Sequence, residues 1–171
     1  FRPFVYRLAT QRGLSGFVRN DGAGVEIEVQ GSAAALDDFL KDLRRPPPLA
    51  RIDTLFTHDL PPHSPDEGTF VIAETGSGTV TADVTPDTAI CANCLAELFD
   101  PHDRRYRYPF INCTDCGPRY TLTAALPYDR PNTSMAGFAL CPDCAREYRD
   151  PSDRRFHAQP NACAICGPRL T

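Results

Sequence analysis

Cysteine is absent from the first 90 residues, and nowhere do 18 apolar residues follow one another. The second absence excludes a membrane-spanning helix, which needs about 20 of them. Nor does the chain open on the charged, then apolar, pattern of a secretory leader. Positive charge is not in excess either: 18 Lys and Arg stand against 22 Asp and Glu, for a formal net charge of −4. A surface that grips nucleic-acid phosphates runs basic, so this balance argues against nucleic acid as a partner. With 171 residues and 42% apolar content, the chain has room for one ordinary domain, or for a small domain plus metal-stapled modules.

What is present is concentrated at the other end. All eight cysteines lie beyond residue 90 in four C-x2-C pairs: Cys91 and Cys94, Cys113 and Cys116, Cys141 and Cys144, Cys163 and Cys166. Disulfide frameworks scatter their cysteines, because each bridge ties distant loops. A C-x2-C turn instead aims two sulfurs at one point, as a tetrahedral ion with metal–sulfur bonds of about 2.3 Å requires. The spacing therefore favours two structural Zn²⁺ ions over four disulfides, and with them a reducing, cytoplasmic location. Ionised and loaded, the eight cysteines would take the net charge to about −8, further still from a nucleic-acid binder.

The cysteine region repeats itself with a period of 50 residues. Aligning 91–121 with 141–171 gives 14 identities in 31 positions, among them Glu97/Glu147, Asp100-Pro101/Asp150-Pro151, Asp103-Arg104-Arg105/Asp153-Arg154-Arg155 and Gly117-Pro118-Arg119/Gly167-Pro168-Arg169. Duplication of a self-contained unit predicts pairing within each copy; a crossed arrangement, Cys91 and Cys94 with Cys163 and Cys166, is the rival. The second pair of each copy reads as a knuckle whose following glycine, Gly117 or Gly167, takes a positive φ. The first pair opens a short helix, whose free N–H groups stabilise thiolate charge. Four sulfurs leave no coordination position open, so these centres are structural rather than catalytic. His157 is a weaker candidate to replace one sulfur. Arg104, Arg105, Arg107, Arg154 and Arg155 stand beside Asp100, Asp103, Asp150 and Asp153, which predicts a solvated or mutually paired charge cluster; contact with a ligand or partner is the alternative.

Residues 1–74 read as an α/β unit. Phe4 to Gln11 places Phe4, Val5, Leu8 and Ala9 on one helical face, with Gly13 as the stop. Ser15 to Asn20 is a short strand, Asp21-Gly22-Ala23-Gly24 a turn, and Val25, Ile27 and Val29 alternate with polar residues in a second strand. Ser32 caps a helix carrying Ala35, Leu36, Phe39, Leu40 and Leu43, ended by Pro46-Pro47-Pro48. Arg51 to His58 and Thr69 to Glu74 are predicted as two more strands. Residues 75–90 form a linker, 91–121 a first zinc module, 122–140 a connector and 141–171 a second zinc module.

Phe1-Arg2-Pro3-Phe4-Val5-Tyr6-Arg7-Leu8-Ala9, then Gly13 to Asn20 and Gly24 to Gly31, resembles an acylphosphatase domain. Joined to C-x2-C-x18-C-x2-C-x24-C-x2-C-x18-C-x2-C, the whole chain resembles the N-terminal part of the hydrogenase maturation carbamoyltransferases, the HypF family. The resemblance implies an α+β fold: a ferredoxin-like acylphosphatase domain followed by two small four-cysteine zinc modules of the ribbon or knuckle kind. It implies hydrolysis of carbamoyl phosphate to carbamate and phosphate, with Arg2 binding phosphate and Asn20 orienting water. It implies later domains that make carbamoyl-adenylate from ATP and pass the carbamoyl group to the C-terminal cysteine of a maturation partner protein. No organic cofactor is implied within this chain.

In acylphosphatases a first strand and a Gly-rich phosphate loop precede the Phe-Arg pair. The resemblance therefore implies a chain truncated before Phe1, impaired in catalysis on its own, and stopping where the later domains begin. A reading from another class stays open: a non-catalytic, zinc-stapled docking module on an acylphosphatase-like scaffold.

Overall fold

The computed structural model describes residues 1–21, 24–61, 69–75 and 86–170, and the chain divides into two compact units, Phe1–Thr81 and Ala82–Thr171. In the first unit, helix α1 (Arg2–Gln11) leads into strand β1 (Ser15–Asn20), strand β2 (Val25–Gln30), helix α2 (Ala33–Leu43) and strand β3 (Phe70–Ile72). β1 is central. It pairs antiparallel with β2, from Ser15 opposite Gln30 to Asn20 opposite Val25, and parallel with β3, from Gly16 opposite Phe70 to Val18 opposite Ile72.

The local causes are those the sequence carries. Pro3 sits in the first turn of α1, where its missing N–H costs nothing. Gly13 takes φ +62 just beyond the helix, and the Leu14 N–H reaches back to the Ala9 carbonyl at 3.0 Å. Ser32 Oγ accepts from the Ala35 N–H at 3.3 Å, capping α2. The Gly24 N–H donates to Asp21 Oδ1 at 2.7 Å across the β1–β2 turn, whose residues 22 and 23 lie outside the described residues. The core gathers Val5, Leu8 and Ala9 from α1, Leu14, Val18 from β1, Phe39 and Leu43 from α2, and Phe70 from β3. Phe4, Ala35, Leu36 and Leu40 pack around it, half-buried.

One expected strand is absent. Residues 51–58 carry no ladder, and Phe56 within them is 80% exposed. The alternation there pairs with no strand of the sheet, and a strand without a partner is not a stable element. The last strand is shorter than its pattern, three residues instead of six. Of the expected linker over 75–90, residues 76–85 lie outside the described residues.

The second unit holds helix α3 (Ala92–Phe99), helix α4 (Pro142–Arg149) and three single 3₁₀ turns, Thr114–Cys116, Tyr120–Leu122 and Arg130–Asn132. Its core cluster mixes both repeats with the stretch between them: Cys94, Tyr108, Ile111, Cys113 and Cys116, then Met135, then Ala162. The expected connector is therefore folded in. Arg130 within it donates to the carbonyls of Phe138 at 2.6 Å, Gln159 at 2.6 Å and Asn161 at 2.9 Å. Where sequence reading separates two modules and a spacer, the structure gathers 82–171 into one unit, because neither repeat has apolar residues enough for a core of its own.

Candidate functional site

Each repeat brings its own four sulfurs together. Cys91, Cys94, Cys113 and Cys116 form one cluster and Cys141, Cys144, Cys163 and Cys166 the other, with all ligand atoms of a cluster within 4.8 Å of one another. In the first, Sγ–Sγ separations are 3.6 Å (Cys91–Cys113), 3.6 Å (Cys94–Cys116) and 3.9 Å (Cys113–Cys116). In the second they are 3.8 Å (Cys141–Cys163), 3.6 Å (Cys144–Cys166) and 3.8 Å (Cys163–Cys166). A tetrahedron of sulfurs about 2.3 Å from a central ion has edges of about 3.8 Å, so both donor sets fit a metal ion. Disulfides would need about 2.05 Å, and none joins these cysteines.

The helices and knuckles polarise the sulfurs. Cys91 is the N-cap of α3, its Sγ accepting from the Cys94 N–H at 3.4 Å, and the Cys91 N–H donates to Cys116 Sγ at 3.3 Å. Cys141 is brought down to about 6: burial opposes this, but the Cys144 N–H and neighbouring thiols outweigh it. In the first cluster the hydrogen bond with Cys113 pulls the Cys116 thiol far down and pushes Cys113 far up. One sulfur of each set, Cys116 and Cys141, is thus drawn toward thiolate, the form that binds metal.

The two knuckles differ from the expected symmetry. Gly117 has φ +75, as predicted, whereas Gly167 lies outside the positive-φ region. Gly167 is required by space: a Cβ there would sit 2.0 Å from the Tyr108 hydroxyl oxygen and 2.6 Å from Ala162 Cβ. His157 belongs to neither cluster; its ring packs tilted against Tyr148 and edge-on against Phe156, with centroids at 5.2 Å and 4.6 Å.

The arginine cluster is also other than expected. The aspartates serve their own turns: Asp100 accepts from the His102 N–H, Asp103 from Arg105, Asp150 from Ser152 and Asp153 from Arg155, all by backbone N–H groups. Arg104, Arg105, Arg154 and Arg155 pair instead with Glu147 and Glu97, each in the opposite repeat. Arg105 and Arg155 are no solvated face, since their side chains are 2% and 4% exposed. Burial raises Glu97 and Glu147, but the guanidinium hydrogen bonds reverse this and hold both below the usual carboxylate range. The sequence does contain the signal: Glu97 and Glu147 recur three residues after Cys94 and Cys144, on the same helical face as the sulfur.

Arg2 is the first residue of α1 and Asn20 the last of β1, both half-buried in the first unit. α1 packs on β1, so the two residues belong to adjoining elements.

Comparison with known proteins separates the chain along the same lines. The acylphosphatase family matches residues 1–72, and the HypF finger family matches 90–123 and 140–171. Carbamoyltransferase HypF2 of Cupriavidus necator is 59% identical over 140 residues, 81% of this chain and 17% of that protein. A crystal structure of full-length HypF in the phosphate- and nucleotide-bound form superimposes with a TM-score of 0.93 at 45% identity, covering all of this chain and 23% of the other. The HypF of T. kodakarensis superimposes with a TM-score of 0.82 at 49% identity, covering 98% of this chain and 21% of its own. The chain thus spans about a fifth of the length of these relatives. Acylphosphatase-like sheet, duplicated four-cysteine finger and whole-chain similarity agree, and the chain belongs to the HypF carbamoyltransferase family, matching its N-terminal region.

Proposed function

We propose that residues 1–74 hydrolyse carbamoyl phosphate to carbamate and phosphate, and that residues 82–171 are a zinc-folded support for that activity in a longer carbamoyltransferase. The observation that carries the first part is the acylphosphatase match over 1–72, with Arg2 at the head of α1 and Asn20 at the end of β1. A guanidinium there can fork onto two phosphate oxygens beside helix-start N–H groups. An amide can hold a water in line with the P–O bond and needs no change of charge. Carbamate leaves readily, so positioning and charge neutralisation supply the catalysis. Carbamate would feed carbamoyl-adenylate formation and transfer to the C-terminal cysteine of a hydrogenase maturation partner, steps whose ATP site lies in later domains. A cytoplasmic location is part of the same reading.

Zinc suits the second part because four thiolates around one ion give a closed tetrahedral centre, which folds a chain and leaves no position for substrate.

The test is carbamoyl phosphate hydrolysis by this chain and by the chain extended before Phe1 with an acylphosphatase strand and phosphate loop. Arg2→Ala should raise KM and lower kcat together, and Asn20→Ala should lower mainly kcat, each on the order of 100-fold in kcat/KM. Hydrolysis unchanged in both variants would overturn the roles of Arg2 and Asn20, and no hydrolysis by the extended chain would hand the case to the scaffold reading.

A further inference from the structure

The two four-sulfur clusters are 50 residues apart in sequence and each is built from its own repeat, yet arginines of the other repeat reach the sulfurs of both. Arg104 Nη2 donates to Cys144 Sγ at 2.7 Å and Arg105 Nη2 approaches the same sulfur at 3.5 Å. In return Arg154 Nη1 donates to Cys94 Sγ at 3.2 Å and lies 3.6 Å from Cys91 Sγ. The exchange extends beyond sulfur. Arg105 Nε donates to the Ala162 carbonyl at 2.9 Å, and Arg155 Nε to the equivalent Asn112 carbonyl at 3.1 Å. Arg104 and Arg105 hold Glu147, and Arg154 and Arg155 hold Glu97. The Arg154 carbonyl accepts from both the Thr114 N–H at 3.0 Å and the Thr114 hydroxyl at 2.9 Å. Thr114 stands inside the Cys113–Cys116 knuckle, so Arg154 is tied by backbone and by side chain to the first cluster. Even the backbone repeats: Arg107 and His157 have φ +56 and +53, each closing its turn onto the carbonyl of Leu98 or Tyr148.

We infer that each metal centre takes the charged donors of its outer sphere from the other repeat: Arg154 tunes the Cys91/Cys94/Cys113/Cys116 centre, and Arg104 tunes the Cys141/Cys144/Cys163/Cys166 centre. Four thiolates around a divalent ion leave two net negative charges, and N–H donors on the sulfurs offset them. Asp-Arg-Arg occurs in both repeats because each copy supplies the other. The two fingers are then one binding unit rather than a tandem of independent ones. These arginines are positioning residues, acting on the metal through the sulfurs.

This inference rests on reading the clusters as metal centres, and one experiment separates the two. The full chain is loaded with cadmium-113 and its NMR resonances are assigned to each centre through couplings to the cysteine Cβ protons. A competing chelator then reads the affinity of each centre. Arg104 and Arg154 are the residues to change, because their side chains are 30% and 21% exposed and can be altered without emptying the core. Arg154→Gln should weaken the Cys91 centre about tenfold or more while the Cys141 centre stays within about twofold, and Arg104→Gln should do the reverse. Arg154→Lys and Arg104→Lys, which keep the charge and lose the planar fork, should fall between, and they decide by the same criteria if a Gln variant fails to fold. Weakening confined to the centre in the variant's own repeat, equal weakening of both, or no change at either overturns the exchange alone. A chain that takes up no cadmium overturns the metal reading beneath it.

Discussion

The two units of this chain solve the same problem, ordering some 80 to 90 residues apiece, with different chemistry. Phe1–Thr81 buries aliphatic and aromatic side chains between two helices and a sheet. Ala82–Thr171 buries sulfur and charge: five of its cysteines are buried, as are Arg105, Arg155, Asn112 and Asn161. An apolar core tolerates any contacts of the right volume, whereas sulfur and guanidinium demand specific partners. The first unit should therefore respond to volume and the second to ligands, charge and pH.

The largest effect that tests this contrast is metal removal. Structural zinc contributes on the order of 10 kcal/mol to folding of small modules near neutral pH. Chelation should unfold Ala82–Thr171 and leave α1, β1, β2 and α2 protected, as read by amide hydrogen exchange resolved along the chain. Loss of protection in both units together would break the comparison.

Single substitutions sharpen it. Phe39→Ala empties a fully buried position of the apolar core and should cost about 3–5 kcal/mol in the first unit, with metal content unchanged. Glu147→Ala leaves the buried Arg105 guanidinium without its carboxylate and should cost about 3–5 kcal/mol in the second. Denaturant titrations followed separately on each unit, with zinc stoichiometry, distinguish the two. A Glu147→Ala chain as stable as the parent would mean that Arg105 finds compensation in Asn161, to which it donates at 2.9 Å.

How much of this was readable beforehand follows the same divide. Both cysteine clusters were legible from spacing, because ligand geometry is local. Both helices of the first unit were legible too, since Val5, Leu8, Ala9, Phe39 and Leu43 recur at helical period. The strand expected over 51–58 was not found, since its pattern says nothing of whether a neighbouring ladder exists. The partners of Arg105 and Arg155 escaped for a related reason. Nearby Asp103 and Asp153 look like the natural counter-ions, yet they bond to backbone N–H groups, and the true partners lie 42 and 58 residues away. The helix positions of Glu97 and Glu147 were visible; their reciprocal use belongs to the packing.

A smaller effect is acid sensitivity. Glu97 and Glu147 sit below their ordinary value of 4.5, so the folded second unit holds fewer protons than its unfolded chain near that pH. The stability they supply is complete above the ordinary value and drains as pH falls through the lowered folded values. Thiolate protonation acts in the same direction by releasing metal. The second unit should therefore lose structure below about pH 4.5 while the first persists, as followed by hydrogen exchange or by fluorescence of a probe in each unit. Glu97→Gln should flatten the fall without abolishing it. Simultaneous acid unfolding of both units would contradict the division.

The smallest effect compares one local motif in the two settings. Ser32 and Cys91 are both N-caps: Ser32 Oγ accepts from the Ala35 N–H at 3.3 Å, and Cys91 Sγ from the Cys94 N–H at 3.4 Å. In α2 the cap is an exposed local bond and nothing more. Ser32→Ala should cost about 1 kcal/mol, measurable as a small fall in the denaturant midpoint of the first unit with its slope unchanged. In α3 the capping sulfur is also a candidate ligand. Cys91→Ser supplies the better capping oxygen, so capping alone predicts a neutral or slightly stabilising change. Loss of one sulfur from a tetrahedral set predicts a large loss of metal affinity instead. If Cys91→Ser costs no more than Ser32→Ala, the sulfur of Cys91 is a cap and the first cluster is not a four-cysteine centre. If it costs several times more, the same local geometry is being used for two purposes, and only the metal separates them.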